Sequence, residues 1–311
     1  MTPPPVGAEA PATGRRHRTR RRQRPYRRWV PYLFIAPFFA LFLPFGAGSV
    51  LLAAGMSFAD WPIGESPTFN GIDNYRRAIG DPIFGTAMGN TAEMLVSYLA
   101  LLLPACLVVA VGLGQLRART RSGIQILVFI PVTMSLIAVS MVFDLLYNEN
   151  LGFLNRSLVS LGLEPVGFLS DPTLAPMAIV VLRIWRVLGY YAIILFAGLQ
   201  SIPVDLYEAA QIDGAGPWRR FWNVTLPMLR PVTMFVLVAA SIAAWELFAE
   251  PQVLTEGGPA RSTLTAVMYV YQTSFLEFDL GKGAASSVLL AVLIIATTLV
   301  ITRVLRSKTD A

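Results

Sequence analysis

Apolar residues run almost unbroken over about 29–56, 91–114, 124–147, 176–198, 231–248 and 286–305. Each run is roughly 18 to 28 residues, the length a helix needs to cross a hydrocarbon core. The pattern predicts an all-α membrane protein of six transmembrane helices. The longest polar interruption with a specific wording is PVDLYEAAQIDGAGPWRRFWNVTLPMLRP, residues 203–231. Pro203 suits the first turn of a short helix through Ile212, because its missing N–H has no intrahelical partner there. Asp213-Gly214 predicts the stop, since glycine readily takes the left-handed conformation that ends helices. Pro217 then opens a second helix carrying Trp218, Phe221 and Trp222.

Six spans put both termini on one side, and arginine placement selects the side. The N-terminal tail, Arg117, Arg119 and Arg121 between the second and third spans, and Arg303, Arg306 and Lys308 at the end share one face, predicted to be cytoplasmic. The opposite loops carry acids: Asp60, Glu65, Asp73 and Asp81, then Glu149, Glu164 and Asp171, then Glu250, Glu256, Glu277 and Asp279. Residues 203–231 therefore fall in the cytoplasm. The first span lacks a convincing cleavage site and reads as an uncleaved helix.

Composition agrees with a life in lipid: 55% hydrophobic and only 14% charged residues, with a mean hydropathy of +0.58. The net charge of +6 is concentrated at one end. Residues 1–28, ending in RRHRTRRRQRPYRR, are too polar to fold and read as a disordered basic cytoplasmic tail, with 307–311 as a short second one. The basic run reads as a positive-inside anchor in preference to a nucleic-acid arm or an anionic-lipid contact, so no nucleic-acid partner is expected.

Candidate chemistry is sparse. The single histidine, His17, sits in the tail, and the single cysteine, Cys106, lies in mid-span, which removes most metal sites and His-dependent catalysis. Leu103-Pro104-Ala105-Cys106 imitates a lipoprotein signal in the wrong place. The chain lacks the GxxxxGK loop that cradles nucleotide phosphates, so it is predicted to bind no ATP that way. No catalytic residue, metal or bound cofactor is expected.

Charges within spans need a reason, because each costs on the order of 3 kcal/mol at the membrane centre. Arg183 and Arg186 share a helix face at spacing three, roughly 10 and 15 Å from the outer surface. Asp144 and Glu246, near the outer ends of the third and fifth spans, could meet them, with Trp185 and Trp245 as flat apolar neighbours. These six residues are candidates for a translocation path, and an ion-pair brace is the favoured alternative.

Taken together, EAAQIDGAGPWRRFWNVTLPMLRP resembles the EAA loop of permease subunits of ATP-binding-cassette importers. Its motif positions are Glu208, Ala209, Ala210, Asp213, Gly214, Ala215, Phe221, Leu226 and Pro227. LTEGGP at 254–259 with the stretch after it, GIDNYRRAIGDPIFGTAMGNT at 71–91 and WRVLGYYAIILFAGLQSIP at 185–203 resemble carbohydrate permeases of the maltose-transporter type. The likeness extends from about Tyr32 to Leu305. It departs at Phe143, where the family often has tryptophan, at Pro251, and in the basic tail. The resemblance implies a permease domain over 29–306 with the type I importer fold, whose 203–231 loop forms a cytoplasmic coupling helix. It implies a second homologous permease, a cytoplasmic ATPase dimer that hydrolyses the ATP, an extracytoplasmic solute-binding protein, and a carbohydrate cargo crossing a bacterial plasma membrane. A non-sugar solute such as a glycerophosphodiester is the other importer reading. An ion-coupled secondary carrier would call for a midplane relay and an inverted repeat, and neither is evident.

Overall fold

A computed structural model describes residues 29–61 and 66–306. The two tails, His17, Glu65 and Lys308 lie outside the described residues. The chain divides into a body ending at Ser49 and a second body from Val50 onward.

The first body comprises α1 (Val30–Phe42), a π turn (Leu43–Ala47) and the first residues of α2 (Gly48–Met56). Pro37 and Pro44 each lack an N–H to donate, and Pro44 stands inside the π turn. Phe38 stacks on Phe42 one turn later, at 5.4 Å between ring centroids.

The second body starts with the rest of α2 and a short antiparallel pair, β1 (Ala59–Asp60) and β2 (Thr68–Phe69). Then come α3 (Asp73–Ile79), α4 (Pro82–Gln115), α5 (Ala118–Thr133), α6 (Leu136–Tyr147), α7 (Phe153–Ser160) and α8 (Ala175–Gln200). The remainder holds α9 (Val204–Ile212), α10 (Pro217–Arg220), α11 (Leu226–Met228), α12 (Arg230–Trp245), α13 (Ala249–Leu254), α14 (Ala266–Tyr271) and α15 (Leu280–Arg306).

Among the described residues, four helices are long and apolar enough to cross a membrane, or up to six spans if each bent pair is one. One expected span, the third, is therefore bent within itself. The third breaks by 96° between α5 and α6. Pro131 interrupts the last turn of α5, Thr133 Oγ1 donates to the Ile130 carbonyl, and Met134 leaves in extended conformation. The fifth is α12 alone, joined at 67° to the helical segment before it. The second and sixth spans begin earlier than expected, at Pro82 and Leu280, because Gly, Thr and Asn in the former and Gly and Lys in the latter dilute hydropathy without breaking the helix.

The core is a helix sandwich on α4. Tyr98, Leu102, Cys106, Ala110 and Leu113 recur at helical spacing on one face and are buried against Ile179, Leu182 and Leu195 of α8 and Val236 and Ala240 of α12. Cys106 is fully buried in that seam, as a small apolar side chain. At Gly189 a Cβ would lie 1.9 Å from the Val128 carbonyl oxygen, so only glycine lets α5 reach α8.

At the opposite end from residues 203–231, polar side chains tie the N-terminal ends of α4 and α15 together. Asp81 caps α4 by accepting from the Ile83 N–H (2.8 Å), and its other oxygen accepts from Tyr269 Oη (2.8 Å) and Lys282 Nζ (2.7 Å). Burial alone would raise the Asp81 pKa, but these three donors outweigh it and hold the carboxyl at about 2. Asn74, fully buried, donates to the carbonyls of Ser57 and Ala59.

Candidate functional site

The 203–231 stretch folds into two helices around a glycine. Pro203 stands one residue earlier than expected, at the N-cap rather than in the first turn, with ψ of 134°. Asp205 in the first turn of α9 complements the positive end of the helix dipole. At the other end Gly214 takes φ of +76°. Its N–H donates to the Gln211 carbonyl (3.0 Å) and that of Ala215 to the Ala210 carbonyl (2.9 Å). This is the Schellman arrangement, which satisfies carbonyls that the helix end would strand. Gly216 then caps α10 with Pro217 at its first position.

From Phe221 to Thr225 the helix widens to a π turn, and the Leu226 N–H reaches the Phe221 carbonyl. Pro227 cannot donate to the next rung. Buried Thr225 shares a 3.0 Å hydrogen bond between hydroxyls with Tyr207 of α9, which fixes the angle between the two helices. The rings of Trp218, Phe221 and Trp222 cluster at centroid separations of 5.8 to 6.2 Å.

The expected motif positions fall into two sets. Glu208, Ala209, Asp213 and Gly214 are exposed, whereas Ala210, Ala215, Phe221, Leu226 and Pro227 are half-buried. Around the exposed set stand Ile212 and Trp218, 87% and 74% exposed. An apolar surface of this kind on a polar loop is unusual for a part that touches only water.

The intramembrane charges do not gather as expected. Arg183 donates from Nη1 to Glu250 Oε1 at 2.8 Å and from Nη2 to the Ala243 carbonyl, and lies 5.5 Å from the Tyr98 ring centroid. Glu250, counted in sequence among the external loop acids, is 1% exposed. The chain turns after Glu246, and α13 folds back to bring Glu250 against α8. Asp144 and Glu246 remain exposed and pair with neither arginine. Arg186 is half-buried, its Nε without a partner, and it forms no ion pair among the described residues.

The two tryptophans also part company. Trp185 packs 5.2 Å from Phe143 and lines a groove of about 360 Å³ with Leu127, Pro131, Met134 and Gly189, where α5 bends away from α6. Trp245 is 5% exposed and donates from Nε1 to Thr297 Oγ1 of α15 (3.2 Å). Among the described residues, no group of three or more His, Cys, Asp or Glu is placed to hold a metal ion.

The family model "binding-protein-dependent transport system inner membrane component" matches residues 103–309, a range that includes all of 203–231. The chain belongs to that family. It is a multi-pass membrane permease, not an enzyme. It is 34% identical over 270 residues to the arabinooligosaccharides transport system permease protein AraP of Bacillus subtilis, covering 86% of each chain. It is 34% identical over 268 residues to the lactose transport system permease protein LacF of Rhizobium radiobacter, covering 85% of this chain and 89% of that one. Among solved structures, a bacterial ABC transporter that imports the acidic polysaccharide alginate contains a chain of the same fold. Its TM-score is 0.79 at 24% identity, over 90% of this chain and 96% of that one. The permease carries the type I importer fold, with the glycine-bent element between α8 and α12.

Proposed function

We propose that this permease is the membrane subunit of an ATP-driven carbohydrate importer in a bacterial plasma membrane. It forms the path with a second homologous permease and receives cargo from an extracytoplasmic solute-binding protein. A cytoplasmic ATPase dimer hydrolyses ATP and docks on residues 203–231. The observation that carries this reading is the geometry of that stretch: a Schellman-ended helix presenting Glu208, Ala209 and Gly214 beside exposed Ile212 and Trp218. Arginines at 117, 119, 121, 303 and 306 support the same side, and both termini, being cytoplasmic. The cargo class is supported by the oligosaccharide and lactose permeases it resembles.

Closure of the ATPase dimer displaces the docked element and shifts the bundle between inward-open and outward-open states. The shift requires that the element fit one ATPase conformation better than the other. Arg186, with Asp144, Trp185 and Glu246, is assigned to the path, because none of its three charged groups forms an ion pair among the described residues. Arg183 and Trp245 are assigned to bracing.

The test is copurification of a tagged chain with its ATPase, and sugar uptake by Glu208→Ala and Gly214→Ala variants. An L-residue forced into the left-handed region costs about 1–2 kcal/mol, enough to distort the bend. Both variants should reach the membrane yet import poorly, and unimpaired uptake by both refutes the coupling role. Thermal shifts of the cognate binding protein identify the cargo. A glycerophosphodiester acting where sugars do not would replace carbohydrate as the cargo.

A further inference from the structure

Helix α7 buries its asparagine and exposes its large apolar side chains, the reverse of a helix packed on a globular core. Asn155, 1% exposed, donates to the carbonyls of Asn148 (3.3 Å) and Val166 (2.9 Å) and accepts from the Val166 N–H (2.7 Å). These bonds fix which face of α7 meets the protein. At about 100° of turn per residue, Phe153, Leu154 and Leu161 fall within about 100° of one another, away from Asn155. Phe153 is 68% and Leu161 76% exposed, and Leu151 and Leu163, which flank the helix in sequence, are exposed too. The depth of the helix identifies what covers this stripe. Tyr147, the last residue of α6, donates from Oη to the Ala178 carbonyl (3.0 Å), so the third span ends level with the first turn of α8, where the fourth begins. The chain then turns at once, the Gly152 N–H donating to the Asn148 carbonyl (3.0 Å), and α7 starts at the next residue. It is held where two spans reach the same membrane surface, with hydrocarbon on one side and water on the other.

We propose that α7 is an interfacial helix, lying in the headgroup boundary of the outer leaflet with Phe153, Leu154 and Leu161 inserted among the acyl chains. The choice of leaflet rests on the proposed orientation, with residues 203–231 cytoplasmic. Between Asn150 and Val166 the charged residues are Arg156 and Glu164, which cancel. Apolar insertion rather than attraction to anionic lipid therefore seats the helix, and the partner is the bilayer surface whatever its headgroup charge. Because Asn155 ties α7 to Asn148, the residue after α6, the bilayer steadies the outer end of that span through the same contact.

The test is site-directed spin labelling of the full chain, with whatever subunits copurify, in nanodiscs of phosphatidylcholine or of phosphatidylglycerol. Phe153→Cys, Leu161→Cys and Val159→Cys each place the label at an exposed position, and the unsubstituted chain, whose Cys106 is buried, is the blank. Labels at 153 and 161 should be relaxed by oxygen and not by a water-soluble nickel chelate, at a depth of about 5–10 Å in both lipids. The label at 159, opposite the stripe on the helix, should show the reverse. Nickel access at 153 and 161 would mean a surface open to water, and shielding from both relaxants a protein partner on the stripe. Either overturns the proposal, as does insertion confined to phosphatidylglycerol. The side of the membrane is read separately, by modification of Val159→Cys with an impermeant thiol reagent in spheroplasts. Reaction only in inside-out vesicles would overturn the outer-leaflet placement together with the proposed orientation, while the depth readings alone decide whether α7 lies in the interface.

Discussion

Replacing Glu250 by alanine should be among the most damaging single changes outside residues 203–231. The substitution leaves the Arg183 guanidinium buried, with a side chain only 13% exposed against 2% for Glu250. The Ala243 carbonyl and the Tyr98 ring remain as partial compensation. Breaking a buried pair by removing one partner costs about 3–5 kcal/mol, whereas replacing both by apolar residues of similar volume is often close to neutral. Glu250→Leu, like Glu250→Ala, and Arg183→Met should therefore each destabilise by about 3 kcal/mol, and Arg183→Met/Glu250→Leu by far less than the sum of its two single changes. The assay is a double-mutant cycle on reversible unfolding in mixed micelles, run beside sugar uptake. Single variants that each lose under about 1 kcal/mol, or a strictly additive double variant, would refute the brace. A double variant that regains stability but not uptake would move Arg183 from brace to path.

Three further outcomes follow from the geometry. Asp81 is held at about 2, below its ordinary 3.8, so its contribution is complete above about pH 4 and is lost as pH falls toward 2. Asp81→Asn should remove about 2 kcal/mol at neutral pH and flatten the acid limb of a stability-versus-pH curve, while an unchanged limb would discount the Lys282 and Tyr269 contacts. Gly189→Ala puts a methyl group against the Val128 carbonyl and should cost about 1–3 kcal/mol through overpacking, visible as a lower melting temperature. Tyr207→Phe removes the hydroxyl that meets Thr225, a loss of about 1 kcal/mol. It should lower binding-protein-stimulated ATPase activity more than basal activity, and equal loss of both would make the tyrosine merely structural.

What was legible in the sequence was local. Gly214 could be placed because a helix stop followed by proline is written in adjacent residues, and its φ of +76° meets that expectation. The apolar runs gave the spans for the same reason. The 96° break between α5 and α6 escaped, because Pro131 lies within an otherwise continuous apolar run and prolines are tolerated in many membrane helices. Glu250 escaped for a different reason. It stands 67 residues from Arg183, and the turn after Glu246 that brings it inward leaves no periodic trace. The only signal was its setting, a lone acid among Ala249, Pro251 and Val253. Tyr207 was hidden in the same way, since its partner Thr225 lies beyond the glycine bend.

These contacts bear on how a push on residues 203–231 could travel. A flexible loop would absorb it, but this element has little slack. At one end Ser201, Ile202 and Pro203 are all that separate α8 from α9, and Ile202 is buried. At the other, Leu229 alone lies between α11 and α12, and it is fully buried. Both long helices pack on α4 in one core, α8 is joined to α13 by the Arg183–Glu250 pair, and α12 is joined to α15 by Trp245 and Thr297. Packed interiors resist compression and pass displacement on. On the proposed coupling role, a movement imposed at Gly214 would reach α8 and α12 together, with the buried ion pair on its route. Stability lost at Glu250 should accordingly appear as lost coupling before the chain unfolds.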